Sequence, residues 1–295
     1  KQQGKLALMN RIALLYSFLL AAWPLAGAAQ TLSGPESIEY HPRLDRTLIS
    51  NTNGGNILAR ASDGSLSVFT SAPGNPYGIE LLAGTLFVLD SGFIRGYDID
   101  SAVQVMNLQM PGAGFLNGIT SNGIDTLYVT DFTNQTITEV DVGDLENPAI
   151  GTPVSTNSST PNGVVFDRAQ NRLLIATWGG SAKVLSLDPV TSTTPAILIQ
   201  TTLSNIDGIA LDCNGAIHVA AWSSCGASGG CLRRFDPPFT LNSPAQVVAN
   251  GLSSPADIDY GRNTGDVAVP QFGNNTVSFH ATGCEAAIFS SDYER

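Results

Sequence analysis

Positive charge is what this chain has least of. Lysine and arginine together number 14 in 295 residues, against 25 aspartates and glutamates, for a formal net charge of −11. A nucleic-acid binder needs a cationic footprint, so that class is excluded. Charge of either sign is scarce, at 13% of residues, while 43% are hydrophobic. That balance can bury a core and excludes an acidic disordered protein. No G-x-S-x-G elbow is expected, and no G-x-G-x-x-G follows a strand into a helix, so serine-hydrolase and dinucleotide chemistry have no support. Histidine occurs three times. His41 falls in a turn, His218 at a packing position and His280 at a strand end, a set that does not make a catalytic triad.

Long apolar runs are also lacking, with one exception. Ile12 to Trp23 (IALLYSFLLAAW) is twelve residues long, too short for a spanning helix, which needs about 20. Arg11 precedes it, and Pro24-Leu25-Ala26-Gly27-Ala28 follows, with small residues placed for a cut after Ala28. This reads as a secretory signal peptide, with Met9 as the start and residues 1–28 set apart from a domain over 29–295. The mature chain is then exported, periplasmic or extracellular, without a membrane anchor.

Cysteine is sparse: Cys213, Cys225, Cys231 and Cys284. The tight C-x-x-C spacing of a zinc site is absent. In an exported chain an even number reads as disulfides. Cys225 and Cys231 bracket a Gly/Ser loop and form the expected pair; Cys213 with Cys284 follows only by elimination.

What is present in quantity is glycine (30) and proline (16), spread among Thr, Val and Ile, the composition of short strands joined by tight turns. One phrase recurs six times. Its first strands read PESIEY (35–40), PYGIEL (76–81), LNGITS (116–121), PNGVVF (161–166), IDGIAL (206–211) and PADIDY (255–260). Second strands follow at TLISN (47–51), TLFVLD (85–90), TLYVTD (126–131), LLIATW (173–178), IHVAAW (217–222) and VAVPQF (267–272). Third strands follow these, and a fourth after several, as at 65–69 and 196–200. Alternation and β-branching make these strands. Residues 29–295 divided by six give about 44 per repeat, the length of a four-stranded propeller blade. The expected fold is all-β, a single six-bladed β-propeller.

In a propeller the first strand of each blade lines the axis. The phrase places Glu36, Tyr77, Asn117, Asn162, Asp207 and Ala256 at one register. Four of these six carry side-chain oxygens, two as carboxylates that would repel each other if left empty. Glu36, Asn117, Asn162 and Asp207 are therefore the expected ligands of one divalent cation, Ca²⁺ by donor hardness. Read singly, each residue before a glycine or serine is a turn former. Tyr77, Phe115, Trp178 and Trp222 are expected to make the mouth aromatic. Asp131, like Asp90, ends a second strand on the same side, as a substrate contact or a turn cap.

The phrases GPESIEY, TPNGVVFD and NIDGIALD resemble the SMP-30/gluconolactonase/regucalcin family of six-bladed propellers, over roughly residues 32–290. The resemblance implies a divalent cation held by Glu36, Asn117, Asn162 and Asp207, with Asp207 also as general acid/base. It further implies metal-dependent hydrolysis of a small-molecule lactone or related ester. Sugar-lactone members often carry Arg two residues before the third-blade Asn and Asp just after it; here Phe115 and Gly118 stand there, which points to more apolar substrates. The blade phrase also resembles non-enzymatic NHL-type propellers, so a non-catalytic binding propeller is the alternative.

Overall fold

In the computed structural model, residues 30–284 are described; the signal segment expected over 1–28 lies outside them. The described chain forms six antiparallel sheets arranged around one axis. Blade 1 comprises β1 (Pro35–His41), β2 (Arg46–Asn51), β3 (Asn56–Ala61) and β4 (Leu66–Thr70). Blade 2 comprises β5 (Pro76–Leu82), β6 (Thr85–Asp90), β7 (Phe93–Asp98) and β8 (Gln104–Gln109). Blade 3 comprises β9 (Leu116–Ser121), β10 (Thr126–Asp131) and β11 (Thr136–Asp141), with a split outer edge of β12 (Ala149–Ile150) and β13 (Val154–Ser155). Blade 4 comprises β14 (Thr160–Asp167), β15 (Arg172–Trp178), β16 (Lys183–Leu187) and β17 (Ala196–Gln200). Blade 5 comprises β18 (Ser204–Leu211), β19 (Ile217–Ser223), β20 (Gly230–Phe235) and β21 (Gln246–Leu252). Blade 6 comprises β22 (Asp259–Gly261), β23 (Asp266–Gln271) and β24 (Thr276–Ala281).

The core is divided among the seams between blades, because each sheet buries both faces against its neighbours. Leu48, Ile57, Ile79 and Val88 fill the seam between blades 1 and 2, and Leu174, Val184, Ile206 and Val219 the seam between blades 4 and 5. The thinnest seam joins blade 6 to blade 1, where the buried apolar cluster is Ile38, Ile49 and Ala268. Inner strands also staple each other across seams. Asp259 accepts the Tyr40 N–H at 2.9 Å, Glu39 accepts from Leu81, and Glu80 accepts from Ser121.

The last inner strand departs from expectation. The phrase predicts a strand over 255–260, but only Asp259–Gly261 pair in a regular ladder, with a lone bridge at Pro255–Gln271. Ala256 N donates to Pro270 O at 2.9 Å, and a proline has no N–H to return. Asp257 N turns instead to the Glu36 carbonyl of blade 1, at 2.8 Å.

Both cysteine pairs are closed, Cys225–Cys231 and Cys213–Cys284. Among the described residues no helix is long and apolar enough to cross a membrane.

Candidate functional site

The inner strands of blades 1 to 5 break register at the same step. The β-bulges fall at Glu36-Ser37, Tyr77-Gly78, Asn117-Gly118, Asn162-Gly163 and Asp207-Gly208. A bulge bends its strand and re-aims one side chain, and the first residue of each pair is the one that the repeat assigned to the axis. The glycines are not turn glycines: Gly78, Gly118, Gly163 and Gly208 are absent from the positive-φ positions. They are needed for close approach. A β-carbon at these four positions would lie 2.3 Å from Asn117 O, 2.4 Å from Asn162 O, 2.5 Å from Asp207 O and 2.6 Å from Ala256 O, respectively. Each glycine thus admits the next blade's backbone, and the ring residues are set by mutual contact.

The four oxygen-bearing ring residues share a chemical anomaly. Glu36, Asn117, Asn162 and Asp207 are 6%, 6%, 2% and 5% exposed. Each keeps a buried oxygen without a hydrogen-bond partner: Glu36 Oε2, Asn117 Oδ1, Asn162 Oδ1 and Asp207 Oδ1. Buried polar atoms are rarely left unpaired, and four at one register of a repeat call for an electrophile. Burial, and then the charges of Asp207 and Asp257, push the Glu36 carboxyl well above the usual range. Burial pushes Asp207 up to about 7, against the pull of the Trp222 and Asn162 side chains. Trp222 Nε1 lacks an acceptor at bonding geometry, yet its dipole still favours the charged carboxylate. Among the described residues no group of three or more His, Cys, Asp or Glu forms a metal cluster. The set here is a different one, two carboxylates with two neutral amides, and those free oxygens are of the hard type that suits Ca²⁺.

Above the ring lies an arc of aromatic rings. Tyr77 meets Phe115 at 4.7 Å between centroids, Phe115 meets Phe132 at 5.7 Å, Phe132 meets Trp178 at 6.0 Å, and Trp178 meets Trp222 at 5.1 Å. All four contacts are edge-on, the arrangement that ring quadrupoles prefer. Sequence reading missed Phe132. The ladder explains why: Trp178, one past Thr177, aligns with Phe132 rather than with Asp131. Asp131 is turned into the loop before β9. Its oxygens accept the N–H groups of Gly114 (2.7 Å), Phe115 (3.1 Å) and Asn134 (2.9 Å). It therefore holds Phe115 in place, and those donors keep its carboxyl below the ordinary value despite burial. Asp90 does the same for Asn75, at 3.0 Å.

A groove of about 410 Å³ opens beside Trp222, lined by Ser228, Gly230, Ser253 and Ser254. Ser228 lies in GASGG (226–230), which satisfies the letters G-x-S-x-G. The loop joins β19 to β20, two strands, so it lacks the strand-to-helix turn of a nucleophile elbow. A second cavity, of about 230 Å³, lies in the seam between blades 1 and 6 near Tyr40 and Phe279, further along β1 than the ring.

The histidines are structural. His218 Nε2 pairs with Asp212 at 3.0 Å, both fully enclosed. His41 is buried, its pKa lowered to about 4 by burial and then by Arg46 and Arg43. His280 pairs with Ser278.

No protein-family model matches the chain, and no curated protein matches it in sequence. Among solved structures, a gluconolactonase from Xanthomonas campestris is 13% identical, with 86% of this chain and 87% of that chain covered at a TM-score of 0.64. A luciferin-regenerating enzyme is 12% identical, covering 87% and 94% at 0.63. An auxiliary nutrient binding protein from Bacteroides thetaiotaomicron is 11% identical, covering 85% and 69% at 0.65. At these identities the likeness establishes the propeller fold alone.

Proposed function

We propose that the axial ring is the cation site of a hydrolase acting on a neutral lactone or related ester outside the cytosol. The observation that carries this reading is the set of four unpaired buried oxygens on Glu36, Asn117, Asn162 and Asp207. These four residues would hold the ion. A bound divalent cation, Ca²⁺ by the hardness of the donors, supplies Lewis-acid polarisation of a carbonyl and offsets charge developing on its oxygen.

The rest of the chemistry belongs to the chain. Asp207 is the ring carboxylate assigned to accept a proton from an attacking water, a role that ion binding favours by keeping it ionised. Tyr77 and Ala256 bring no ligand atom of this kind to the ring, which leaves that part of it open to substrate or water. The aromatic arc from Tyr77 to Trp222 receives the apolar part of the substrate and excludes water from it. Its five rings carry no cationic group, so the reading favours neutral over acidic substrates. The serine- and glycine-lined groove beside Trp222 takes a more polar portion. The two disulfides suit an oxidising compartment.

A binding propeller with a structural ion is the second reading, favoured by the fold likeness to a nutrient binding protein. One assay separates the two: turnover of neutral lactones and aryl esters by the chelator-stripped chain, with and without added Ca²⁺. The hydrolase reading expects Ca²⁺-dependent turnover that falls at least a hundredfold in Asp207→Asn. Absence of turnover, with Ca²⁺ still bound, leaves the binding reading.

A further inference from the structure

The second position of the bulge is glycine in blades 2 to 5 and Ser37 in blade 1, but in blade 6 it is Asp257. The aspartate sits where the inner strand of blade 6 is interrupted, between the bridge at Pro255 and the strand that starts at Asp259, at the step where the other five blades carry their bulges. Its backbone N–H is committed to Glu36 O, at 2.8 Å. Its Oδ2 accepts the Ser37 hydroxyl at 3.0 Å, and Ser37 Oγ in turn accepts Ile79 N at 3.3 Å. Its Oδ1 reaches across the molecule: a β-carbon on Gly163, in blade 4, would lie 3.1 Å from it. A carboxylate anchored in blade 6, bonded to blade 1 and adjacent to blade 4 lies in the channel where the inner strands of these blades approach one another.

Glu36, Asp207 and Asp257 do not close into one ligand cluster, but Asp257 is bonded to the Glu36 backbone and the Glu36 carboxyl feels the charges of both aspartates. Among the described residues no lysine or arginine acts on Glu36, Asp207 or Asp257. Three carboxylates without a cationic side chain between them are a stronger demand for a cation than the two ligands alone.

We infer that Asp257 is a charge-setting residue of the cation site, acting on the ion from the channel side and from outside its ligand set, and raising its affinity for divalent cations. This rests on the cation reading given above. With a divalent ion bound, three carboxylates leave the ring with a net charge of −1. That charge disfavours acidic substrates and favours release of an acidic product. Asp257 touches no substrate in this scheme; it acts through the ion.

The test uses the full chain, stripped with chelator, and Ca²⁺ titrated by calorimetry, with Tb³⁺ luminescence as a second probe. Asp257→Asn keeps an acceptor for Ser37 and removes the charge. It is expected to weaken Ca²⁺ binding about 10- to 100-fold, while the stripped variant melts no lower than stripped wild type. Glu36→Gln should abolish binding. Asp257→Ser, which copies the blade 1 residue, serves if the asparagine variant does not fold, with the same expected loss. Ca²⁺ affinity within twofold of wild type would overturn the inference and leave Asp257 as a staple between blades 6 and 1. Wild type that binds neither probe would overturn the cation reading itself, a result distinct from that one.

Discussion

A β-carbon on Gly118 would stand 2.4 Å from the carbonyl oxygen of Asn162, so the two residues touch backbone to backbone across the seam between blades 3 and 4. The same carbonyl accepts the Thr130 hydroxyl at 2.7 Å, and Thr130 Oγ1 accepts the Gly118 N–H at 2.8 Å. The backbone of Asn162 is thereby clamped, while its side-chain oxygen stays unpaired. Blade 1 repeats the device with Ser37 N and Ser50 Oγ, at 2.8 Å. Site geometry and seam packing are one set of contacts.

Gly118→Ala is therefore expected to destabilise the fold by about 3 kcal/mol or more, since backbone rather than a flexible side-chain end stands in the way. Gly180→Ala, with no atom within 4 Å of the added carbon, should stay within about 0.5 kcal/mol. Urea midpoints compare the two, and equal midpoints would contradict the close-approach account.

Trp178 touches both Phe132 and Trp222. Under the hydrolase reading, Trp178→Ala should raise KM about tenfold for esters with a long apolar acyl chain, with kcat little changed. Short-chain esters should be nearly indifferent. A chain-length series measures it, and an equal effect at all lengths would remove the arc from substrate recognition.

The two disulfides close very different loops, of sequence separation 6 for Cys225–Cys231 and 71 for Cys213–Cys284. On loop-closure entropy the first contributes about 2 kcal/mol and the second about 4 kcal/mol. Replacing Cys213 and Cys284 by serine should lower the melting temperature more than replacing Cys225 and Cys231. The reverse order would show that the short loop contributes through packing around Arg233, whose guanidinium donates to Cys225 O.

Glu80 and Asp259 are carboxyls outside the ring, with pKa values raised by burial to about 7 and about 6. In the unfolded chain both lie near ordinary values, so the folded state holds protons that the unfolded state releases. Their contribution is fully present below those ordinary values and is lost as pH rises through about 6 to about 7. Melting temperature in chelator should fall from about pH 5 to about pH 8, and Glu80→Gln should flatten that slope. A rise with pH over that window would refute the assignment.

Much of this was legible because the signals are local. Alternation and β-branching mark the inner strands, and a phrase repeated six times fixes the blade count and aligns Glu36 with Asn117, Asn162 and Asp207. The outer strands β8 and β21 were not marked. Their half-solvated faces impose no alternation, as the exposed Val105 and Val247 show.

What the chain left undecided depends on residues that meet only when the ring closes. Asn-Gly reads as a turn in one dimension; the glycine is required because another blade's carbonyl arrives where its side chain would be. Asp131 reads equally as a substrate contact or a turn cap until the loop before β9 folds back and takes its oxygens. Phe132 enters the aromatic arc through a one-residue offset in pairing, and Asp257 is held against blade 1 by the Glu36 carbonyl and the Ser37 hydroxyl. The order of residues determined which side chains share a register. Packing between blades decided which of their polar atoms are paired, because a hydrogen bond or a close approach is satisfied by whatever lies nearest in space, and the nearest groups here come from other repeats.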